Sequence, residues 1–247
     1  MFEDQIALVT GASNGLGRTI ASHLSEAGAR GIAFDMSEAF DDLPQNWVSF
    51  SGDVTDEQSL VEAVSLVESK FGRLDIVVAN AGIVPPWKET ENIDLNEWQQ
   101  VFEVNVAGVI ATIKHSVPLL KRQGGTIVVM GSLNSHRAHP QQCLYTASKH
   151  AVLGITRSTA MDLGRYGIRV NALGPGPIAT EALIERVQAR AKQGGLQMDE
   201  AFKQMATASA LQRLTTENEV AKLAVYLASE TSSGMTGQLV PIDAGYL

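Results

Sequence analysis

A tyrosine and a lysine are spaced for joint chemistry in the segment 145–149, whose sequence is YTASK. At a spacing of four residues, side chains on a helix share one face. An unperturbed tyrosine has a pKa of about 10 and is a poor base near neutral pH. A cation one turn away favours the phenolate, so we predict that Lys149 lowers the pKa of Tyr145. The tyrosine could then exchange a proton with an alcohol or a carbonyl group.

Ser132 strengthens this interpretation, because a tyrosine and a lysine at this spacing are more often mere surface neighbours. The serine lies just after a predicted strand at 126–130, and open parallel sheets bind their ligands at the carboxyl ends of the strands. Its hydroxyl could stabilise a developing oxyanion. Together the three residues predict a site at which a proton moves to or from a substrate oxygen.

A glycine-rich turn at 10–17, with the sequence TGASNGLG, follows a predicted strand at 6–9 and opens a predicted helix at 15–29. Glycines permit a tight turn and a close approach of the backbone to a ligand. The helix N-terminus behind them presents free N–H groups and the positive end of the helix dipole, which suit a pyrophosphate. The alternative is an ordinary strand-to-helix turn, but the strand before and the helix after it are the context in which the motif predicts nucleotide binding.

Asp35 indicates which dinucleotide is bound. It follows a predicted strand at 32–34, at the distance from the turn where an acid accepts hydrogen bonds from the adenosine ribose. A carboxylate there would repel the extra phosphate of NADP, which normally calls for a nearby arginine or lysine. Asn14 and Met36 occupy two places for such a base and are uncharged, while Arg18 could face solvent. A solvated strand-end acid is the alternative; the sequence favours NAD.

Short apolar runs alternate with amphipathic stretches along the whole chain, which predicts an α/β fold: a doubly wound Rossmann-type domain with a seven-stranded parallel sheet and helices on both faces. We expect one domain, 1–247, in which the polar, helix-prone segment 181–211 is a lid over the substrate. The remaining predicted strands are 47–50, 74–78, 169–173 and 238–242, and the remaining predicted helices are 57–71, 95–122, 145–166 and 218–229.

Composition excludes several classes of function. The net charge of −8 argues against nucleic acid and anionic membrane surfaces as partners. Cys143 is the only cysteine, which fits a reducing compartment. The N-terminus lacks the basic region of a signal peptide, and the most apolar segment, 101–120, contains Glu103, Asn105 and Lys114, so we expect no membrane span. We predict a cytoplasmic protein.

Besides the glycine-rich turn, Asp35, Ser132, Tyr145 and Lys149, the sequence contains several further short motifs. The sequence resembles the short-chain dehydrogenase/reductase family, in its branch of about 250 residues, over nearly its whole length. The resemblance rests on the turn at 10–17, Asp53-Val54, Asn80-Ala81-Gly82, Asn105-Val106, Ser132, Tyr145 with Lys149, and Pro175-Gly176. Two departures are visible: Ala79 stands where the family often has a second asparagine, and Ala244 replaces a common glycine.

The resemblance implies roles that spacing alone does not. Ser132, Tyr145 and Lys149 would be the catalytic trio and Asn105 the fourth member, holding a water in a proton relay. Lys149 would also bind the nicotinamide ribose. Asp53 would meet the adenine amino group, and Ile178 and Thr180 would grip the carboxamide. The implied cofactor-binding residues are Gly11, Ser13, Asn14, Gly15, Leu16, Gly17, Asp35, Asp53, Val54, Asn80, Ala81, Gly82, Tyr145, Lys149, Pro175, Gly176, Ile178 and Thr180.

The resemblance further implies an NAD-dependent oxidoreductase that interconverts a secondary alcohol and a ketone, in a homotetramer or dimer. Polar side chains at Asn134, His139 and Gln142 suggest a substrate with several oxygens, such as a polyol or a sugar derivative, and we assign Asn134 and Gln142 to the substrate site with Ser132 and Tyr145. One alternative is an NADPH-dependent 3-oxoacyl-carrier-protein reductase. The other is a non-catalytic NAD-binding regulator on the same fold.

A few residues remain open. The histidines lack metal-ligand spacing, so we predict no metal. His136 and His139 are expected to be exposed loop residues, with contact to the substrate as the alternative. Trp87 could flank the pocket or cover the edge of the core. Cys143 is expected to be a small apolar filler rather than a nucleophile.

Overall fold

Seven parallel strands form the sheet of this computed structural model, which describes residues 1–246. Their order across the sheet is β3-β2-β1-β4-β5-β6-β7, as expected for a doubly wound domain. The strands are β1 (Ile6–Thr10), β2 (Arg30–Asp35), β3 (Trp47–Ser51), β4 (Ile76–Ala79), β5 (Gly125–Met130), β6 (Ile168–Pro175) and β7 (Leu239–Ile242).

Helices connect the strands and cover both faces of the sheet. They are α1 (Gly15–Glu26), α2 (Glu57–Phe71), α3 (Leu95–Phe102), α4 (Gly108–Leu120), α5 (Cys143–Leu163), α6 (Glu181–Lys192), α7 (Met198–Thr207) and α8 (Glu217–Ala228), with a π-helical turn at Glu103–Ala107. No helix among residues 1–246 has the length and apolarity that a membrane crossing requires.

The apolar runs form strands because both faces of the sheet are buried. All five residues of β1 are buried. Ile6 and Leu8 pack on one face, in a core shared with α2, α4 and α5, while Ala7 and Val9 pack on the other face with α1 and α8. Continuous apolar strands of this kind are typical of parallel sheets covered on both sides.

The predicted fold is confirmed, although many bounds shift by a few residues, and three segments differ more clearly. The first helix ends at Glu26 and not at residue 29, because Gly28 turns the chain with a φ of 104°. The predicted helix 95–122 is helical from 95 to 120 but is interrupted by the π-helical turn. The segment 181–211 contains two helices, α6 and α7.

The order of the strands opens a crevice at the carboxyl edge of the sheet. From β1 the chain first proceeds to β2 and β3 on one side, and then returns to β4 on the other side. The connections after β1 and β4 therefore diverge at their carboxyl ends, and ligands of doubly wound sheets bind where the strand order reverses in this way.

A buried carboxylate stabilises the opposite, amino edge of the sheet. Asp75 is only 7% exposed and accepts hydrogen bonds from the backbone of Ile6 at 2.9 Å, from Arg73 at 2.6 and 2.9 Å, and from Gln123 at 3.0 Å. A buried carboxylate is tolerated when its lone pairs are satisfied in this way. This cluster joins the start of β1 to the start of β4.

We predict that Asp75→Ala lowers the free energy of unfolding by about 3 kcal/mol, because it leaves buried donors and a cation without a partner. Glu68→Ala is the matched control. Its ion pair with Arg122 has the same N–O distance of 2.6 Å, but both side chains are about half exposed, so its loss should cost less than about 1 kcal/mol. Urea unfolding at neutral pH checks both values, and equal losses would contradict the role of burial.

Candidate active site

A cavity of about 850 Å³ opens at the carboxyl edge of the sheet, and most of the residues predicted from the sequence line it. A volume near the upper end of the range for ligand pockets suits a large ligand. The cavity is lined by Gly11, Asn14, Gly15, Leu16, Gly17, Asp35, Asp53, Val54, Asn80, Ala81, Gly82, Ser132, Asn134, Gln142, Tyr145, Lys149, Pro175, Gly176, Ile178 and Thr180. Two predicted residues, Ser13 and Asn105, lie behind its wall.

The glycine turn has the crowding and the open helix end that a pyrophosphate site requires. A Cβ on Gly17 would lie 1.9 Å from the carbonyl oxygen of Gly11, so only glycine fits there. The helix α1 begins without a side-chain hydrogen bond from Asn14 and without an acid in its first turn. By contrast, α2 is capped by Asp56 and carries Glu57 in its first turn. The uncapped N–H groups of α1 therefore suit an anionic ligand.

Thr10 and Asn80 fix this turn to the neighbouring strand. The side-chain amide of Asn80 donates to the carbonyl oxygens of Thr10 and Gly11 at 2.9 and 3.1 Å. In return, Thr10 Oγ1 accepts hydrogen bonds from the backbone N–H groups of Asn80 and Ala81, both at 3.1 Å. Asn80 thus holds the turn through its side chain, besides lining the cavity as predicted.

Asp35 is oriented by the backbone, and its surroundings are free of basic groups. Its carboxylate accepts hydrogen bonds from Ser13 N at 3.0 Å and from Ser37 N at 3.1 Å, which gives Ser13 a supporting position. Beside it the cavity is lined by Phe34, Met36, Asn14 and Asp53, and the basic side chains that line the described cavity, Lys149 and Arg186, belong to its other half. Together with the open end of α1, these residues fit a dinucleotide without a ribose phosphate.

Ser132 ends β5 and presents its hydroxyl to the cavity. Its Oγ accepts a hydrogen bond from Asn134 N at 3.1 Å, and its own N–H donates to Ser135 Oγ at 3.1 Å. These two hydrogen bonds cap a short 3₁₀ turn and fix the position of the serine. The Asn134 N–H occupies only an acceptor position of this oxygen, so the hydroxyl hydrogen can be donated to Tyr145 or to an oxygen bound in the cavity.

Tyr145 and Lys149 share one face of α5, as predicted, but the predicted shift of the tyrosine pKa is wrong. Burial raises the pKa of Tyr145, and what opposes the rise is a hydrogen bond with Ser132 and the charge of Arg186 rather than Lys149. The ammonium of Lys149 lies 5.8 Å from the centre of the Tyr145 ring. It donates to the carbonyl oxygen of Met130 at 2.8 Å. Burial lowers the pKa of Lys149 to about 8, so its charge is partly lost just above neutrality.

Asn105 lies in the π-helical turn and is fully buried. Its side chain accepts from the backbone N–H of Ile83 at 2.8 Å and donates to the carbonyl of Ile83 at 2.9 Å. A longer contact of 3.4 Å joins it to Ser148 on α5. The asparagine therefore fixes the loop after β4 against α5. π-helical turns of this kind are common near functional sites.

The predicted substrate residues Asn134 and Gln142 lie in the half of the cavity near Tyr145. The amide of Asn134 is buried and donates to Gln142 Oε1 at 3.2 Å and to Thr146 Oγ1 at 2.9 Å.

At the end of the cavity away from Tyr145, the carboxylate of Asp53 accepts a hydrogen bond from Thr55 N at 2.9 Å. This hydrogen bond fixes the carboxylate beside Val54.

The structure decides several positions that the sequence left open. Trp87 flanks the cavity. His136 is exposed as expected, whereas His139 lines the cavity, its Nε2 is buried without a partner, and burial lowers its pKa. The prediction that Cys143 is a buried filler is wrong, because its side chain is exposed.

Arg186 is the main residue that sequence reasoning missed. It belongs to α6, lines the cavity, and its guanidinium lies 4.2 Å from the centre of the Trp87 ring. The segment 181–211 was recognised only as polar and helix-prone, and no spacing in it distinguishes the inward-facing Arg186 from the exposed Arg190. The polarity of the segment 181–211 was therefore the only signal available.

Comparisons with known proteins agree with this fold and this site. A family model described as enoyl-(acyl carrier protein) reductase matches residues 11–247. The cis-4-hydroxycyclohexanecarboxylate dehydrogenase of Sinomonas cyclohexanicum is 33% identical over 99% of this chain and 97% of its own. A 3-oxoacyl-(acyl-carrier-protein) reductase of Thermotoga maritima is 34% identical over 98% of each. The structure of an NAD⁺-bound xylitol dehydrogenase superposes with a TM-score of 0.93, at 28% identity over 99% of both chains.

The fold and the lining of the cavity are those of an oxidoreductase with a dinucleotide-binding domain. The chain belongs to the short-chain dehydrogenase/reductase family.

We predict that Lys149→Met flattens the dependence of stability on pH between about pH 8 and 10. The unfolded chain keeps the lysine proton up to its ordinary pKa of 10.5, whereas the folded chain releases it above about 8. The folded state therefore gains stability as the pH rises through this window, by roughly 2–3 kcal/mol in total. Urea unfolding at intervals across the window measures the gain, and parallel curves for the variant and the unchanged protein would contradict it.

Proposed function

We propose that this protein is an NAD-dependent oxidoreductase that interconverts a secondary alcohol and a ketone by hydride transfer. The observation that supports it is a single cavity lined by Ser132, Tyr145 and Lys149 at one end and by the glycine turn and Asp35 at the other. The end with the glycine turn and Asp35 suits the dinucleotide. The other end carries Tyr145 as a proton donor and acceptor, with space beside it for a substrate.

The proton chemistry belongs to Tyr145. During alcohol oxidation its phenolic oxygen takes the hydroxyl proton, and during reduction it returns a proton to the carbonyl oxygen. Ser132 donates its hydroxyl hydrogen to the substrate oxygen and stabilises the charge that develops there. A nicotinamide bound in the cavity supplies the hydride donor or acceptor. Burial raises the pKa of Tyr145, so stabilisation of its phenolate by a nearby positive charge is part of the proposal.

Lys149 and Asn105 support this reaction by holding other parts of the site in position. Lys149 is buried, and its hydrogen bond to Met130 at the end of β5 fixes the ammonium beside the tyrosine ring. We assign it the nicotinamide ribose as a ligand. Asn105 holds Ile83 and the loop after β4, and we assign it the proton relay that leads from the site.

The segment 181–211 acts as the lid in this proposal. Leu183 and Arg186 of α6 and Met205 of α7 line the cavity, so the two helices form its outer wall. A lid that closes over the bound pair excludes water, which strengthens the electrostatic interactions inside the site and protects the hydride from side reactions.

The competing function is an NADPH-dependent 3-oxoacyl-carrier-protein reductase, which the similarity to the Thermotoga maritima enzyme favours. Asp35 and its uncharged neighbours argue against it, because they offer no partner for the phosphate of NADP. The net charge of −8 also disfavours docking of an acidic carrier protein. Relatives that act on a hydroxycyclohexanecarboxylate or on xylitol supply the first compounds to test as substrates.

We also propose that the protein works in the cytoplasm as a homodimer or a homotetramer. A single exposed cysteine fits a reducing compartment. The helices α4 and α5 carry exposed apolar side chains, among them Ile110 at 40% and Met161 at 85% exposure, which are suited to contacts between subunits.

We predict that Tyr145→Phe lowers kcat at least 10²-fold, because it removes the group that exchanges the proton. Its affinity for NADH should stay within about threefold, since the phenyl ring and Lys149 remain in place. Reduced-nicotinamide absorbance with a panel of secondary alcohols, hydroxy acids and polyols measures turnover, and fluorescence titration measures NADH binding.

Tyr226→Phe is the matched control, because it removes an exposed hydroxyl on α8 and should leave turnover unchanged. A Tyr145→Phe variant that turns over like the unchanged protein would overturn the proposed role of the tyrosine. Binding of NADH without turnover of any compound in the panel, in either direction, would favour the non-catalytic regulator instead.

We predict that Asp35→Ala lowers kcat/KM for NAD about 10- to 100-fold, because it removes the acceptor for the ribose hydroxyls. The same change should raise kcat/KM for NADP, because a repulsive charge disappears. Asp41→Ala, which removes an exposed acid shortly after the same strand, is the control and should change neither value. If the unchanged protein prefers NADP, the assignment of Asp35 is wrong and the biosynthetic reductase gains support.

A further inference from the structure

Arg186 places a positive charge in the substrate half of the cavity. Arg186 of α6 and Tyr145 line the same cavity, and the charge of the guanidinium opposes the rise of the tyrosine pKa. The guanidinium lies over the ring of Trp87, with its carbon 4.2 Å from the ring centre. Stacking on tryptophan holds an arginine in place and leaves the edge of its fork free for hydrogen bonds.

This charge has no partner among the described residues. Arg186 forms no ion pair within 4.0 Å, and its Nε is buried without a hydrogen-bond partner. Glu103 and Glu181 also line the cavity, yet neither carboxylate lies within 4.0 Å of the Arg186 guanidinium. A partly buried cation without a counter-charge is costly, and a ligand that supplies one would stabilise it. Another side-chain nitrogen of the cavity lining, His139 Nε2, is likewise buried without a hydrogen-bond partner.

We propose that Arg186 binds a carboxylate of the substrate, so that the protein acts on a hydroxy acid and its oxo acid. This inference rests on the proposed hydride-transfer function and names its substrate class. The hydroxyl carbon would face Ser132 and Tyr145, while the carboxylate would accept two parallel hydrogen bonds from the guanidinium. In the reaction the alcohol carbon is oxidised to a ketone, NAD is reduced, Tyr145 takes the hydroxyl proton, and the carboxylate is unchanged.

A carboxylate satisfies the site better than the polyol or sugar suggested by the sequence. A neutral polyol would leave the Arg186 charge uncompensated in the cavity. Moreover, the amide hydrogens of Asn134, which appeared suited to sugar hydroxyls, already donate to Gln142 and Thr146. A guanidinium is planar and always charged, which makes it the usual partner for a carboxylate.

The test compares an acid with its neutral amide in the NAD-loaded protein. The probes are cis-4-hydroxycyclohexanecarboxylate and the corresponding carboxamide, which differ only in the charged group. For the unchanged protein we expect kcat/KM to be about 100-fold higher for the acid. Arg186→Met should remove this preference by lowering the value for the acid alone, and Arg186→Lys should keep part of it.

Arg190→Met is the matched control. Arg190 lies one helical turn further along α6, 5.3 Å from the same tryptophan ring, but it is exposed and does not line the cavity. Its removal takes the same charge from the same helix and should leave the preference for the acid unchanged. Thermal unfolding shows whether each variant is folded. If Arg186→Met fails to fold, the ratio of kcat/KM for the acid to kcat/KM for the amide, measured in Arg186→Lys and in the unchanged protein, still tests the inference.

A second readout separates this inference from the proposed function. Calorimetric titration of the NADH-loaded protein with cyclohexanecarboxylate and cyclohexanecarboxamide measures recognition without any reaction. Tighter binding of the acid, lost in Arg186→Met, supports the inference even if no alcohol is oxidised. Equal binding of acid and amide, or an equal loss of activity on both probes in Arg186→Met, would overturn it and leave the hydride-transfer proposal standing.

Discussion

The whole site depends on how β1 and β4 are joined at their carboxyl ends. These neighbouring strands diverge into different layers, and a crevice without internal support would lose its shape. Thr10 and Asn80 prevent this through four hydrogen bonds across the junction, two between each other and one each to Ala81 and Gly11. The same contact brings the glycine turn against the residues that follow β4, where a Cβ on Gly11 would lie 2.9 Å from the Cα of Ala81. Every other element of the site is positioned relative to this junction.

Burial decides the chemistry of the other half of the cavity. Lys149 is buried and Tyr145 and Arg186 are partly buried, and each carries or can acquire a charge that burial makes costly. The pKa values of Lys149 and Arg186 are lowered and that of Tyr145 is raised. Burial therefore moves the pKa values of Lys149 and Arg186 toward neutral pH and the pKa of Tyr145 away from it. A charged ligand in the cavity would act on all three groups at once.

The sequence predicted the features that depend on local pattern and missed those that depend on side-chain direction. Buried strands, the glycine turn and Asp35 are readable because spacing and strand ends determine them. The pKa of Tyr145 was predicted with the wrong sign, since helical spacing shows that Lys149 is near but not how far burial outweighs it. The role of Arg186 could not be predicted for the same reason, because the sequence of a polar helix does not show which of its arginines faces the cavity.

The π-helical turn at Glu103–Ala107 has a consequence for the length of the chain. A π turn holds one more residue than an α turn, so the helical run from 95 to 120 contains one residue beyond what a regular helix of that extent needs. Removing one residue of the turn other than Asn105 would restore a regular helix, but it would rotate α3 relative to α4 by about 100°. Asn105 could then no longer keep its contact with Ile83 while both helices keep their packing. The placement of this side chain is therefore encoded by the number of residues and not only by their identity.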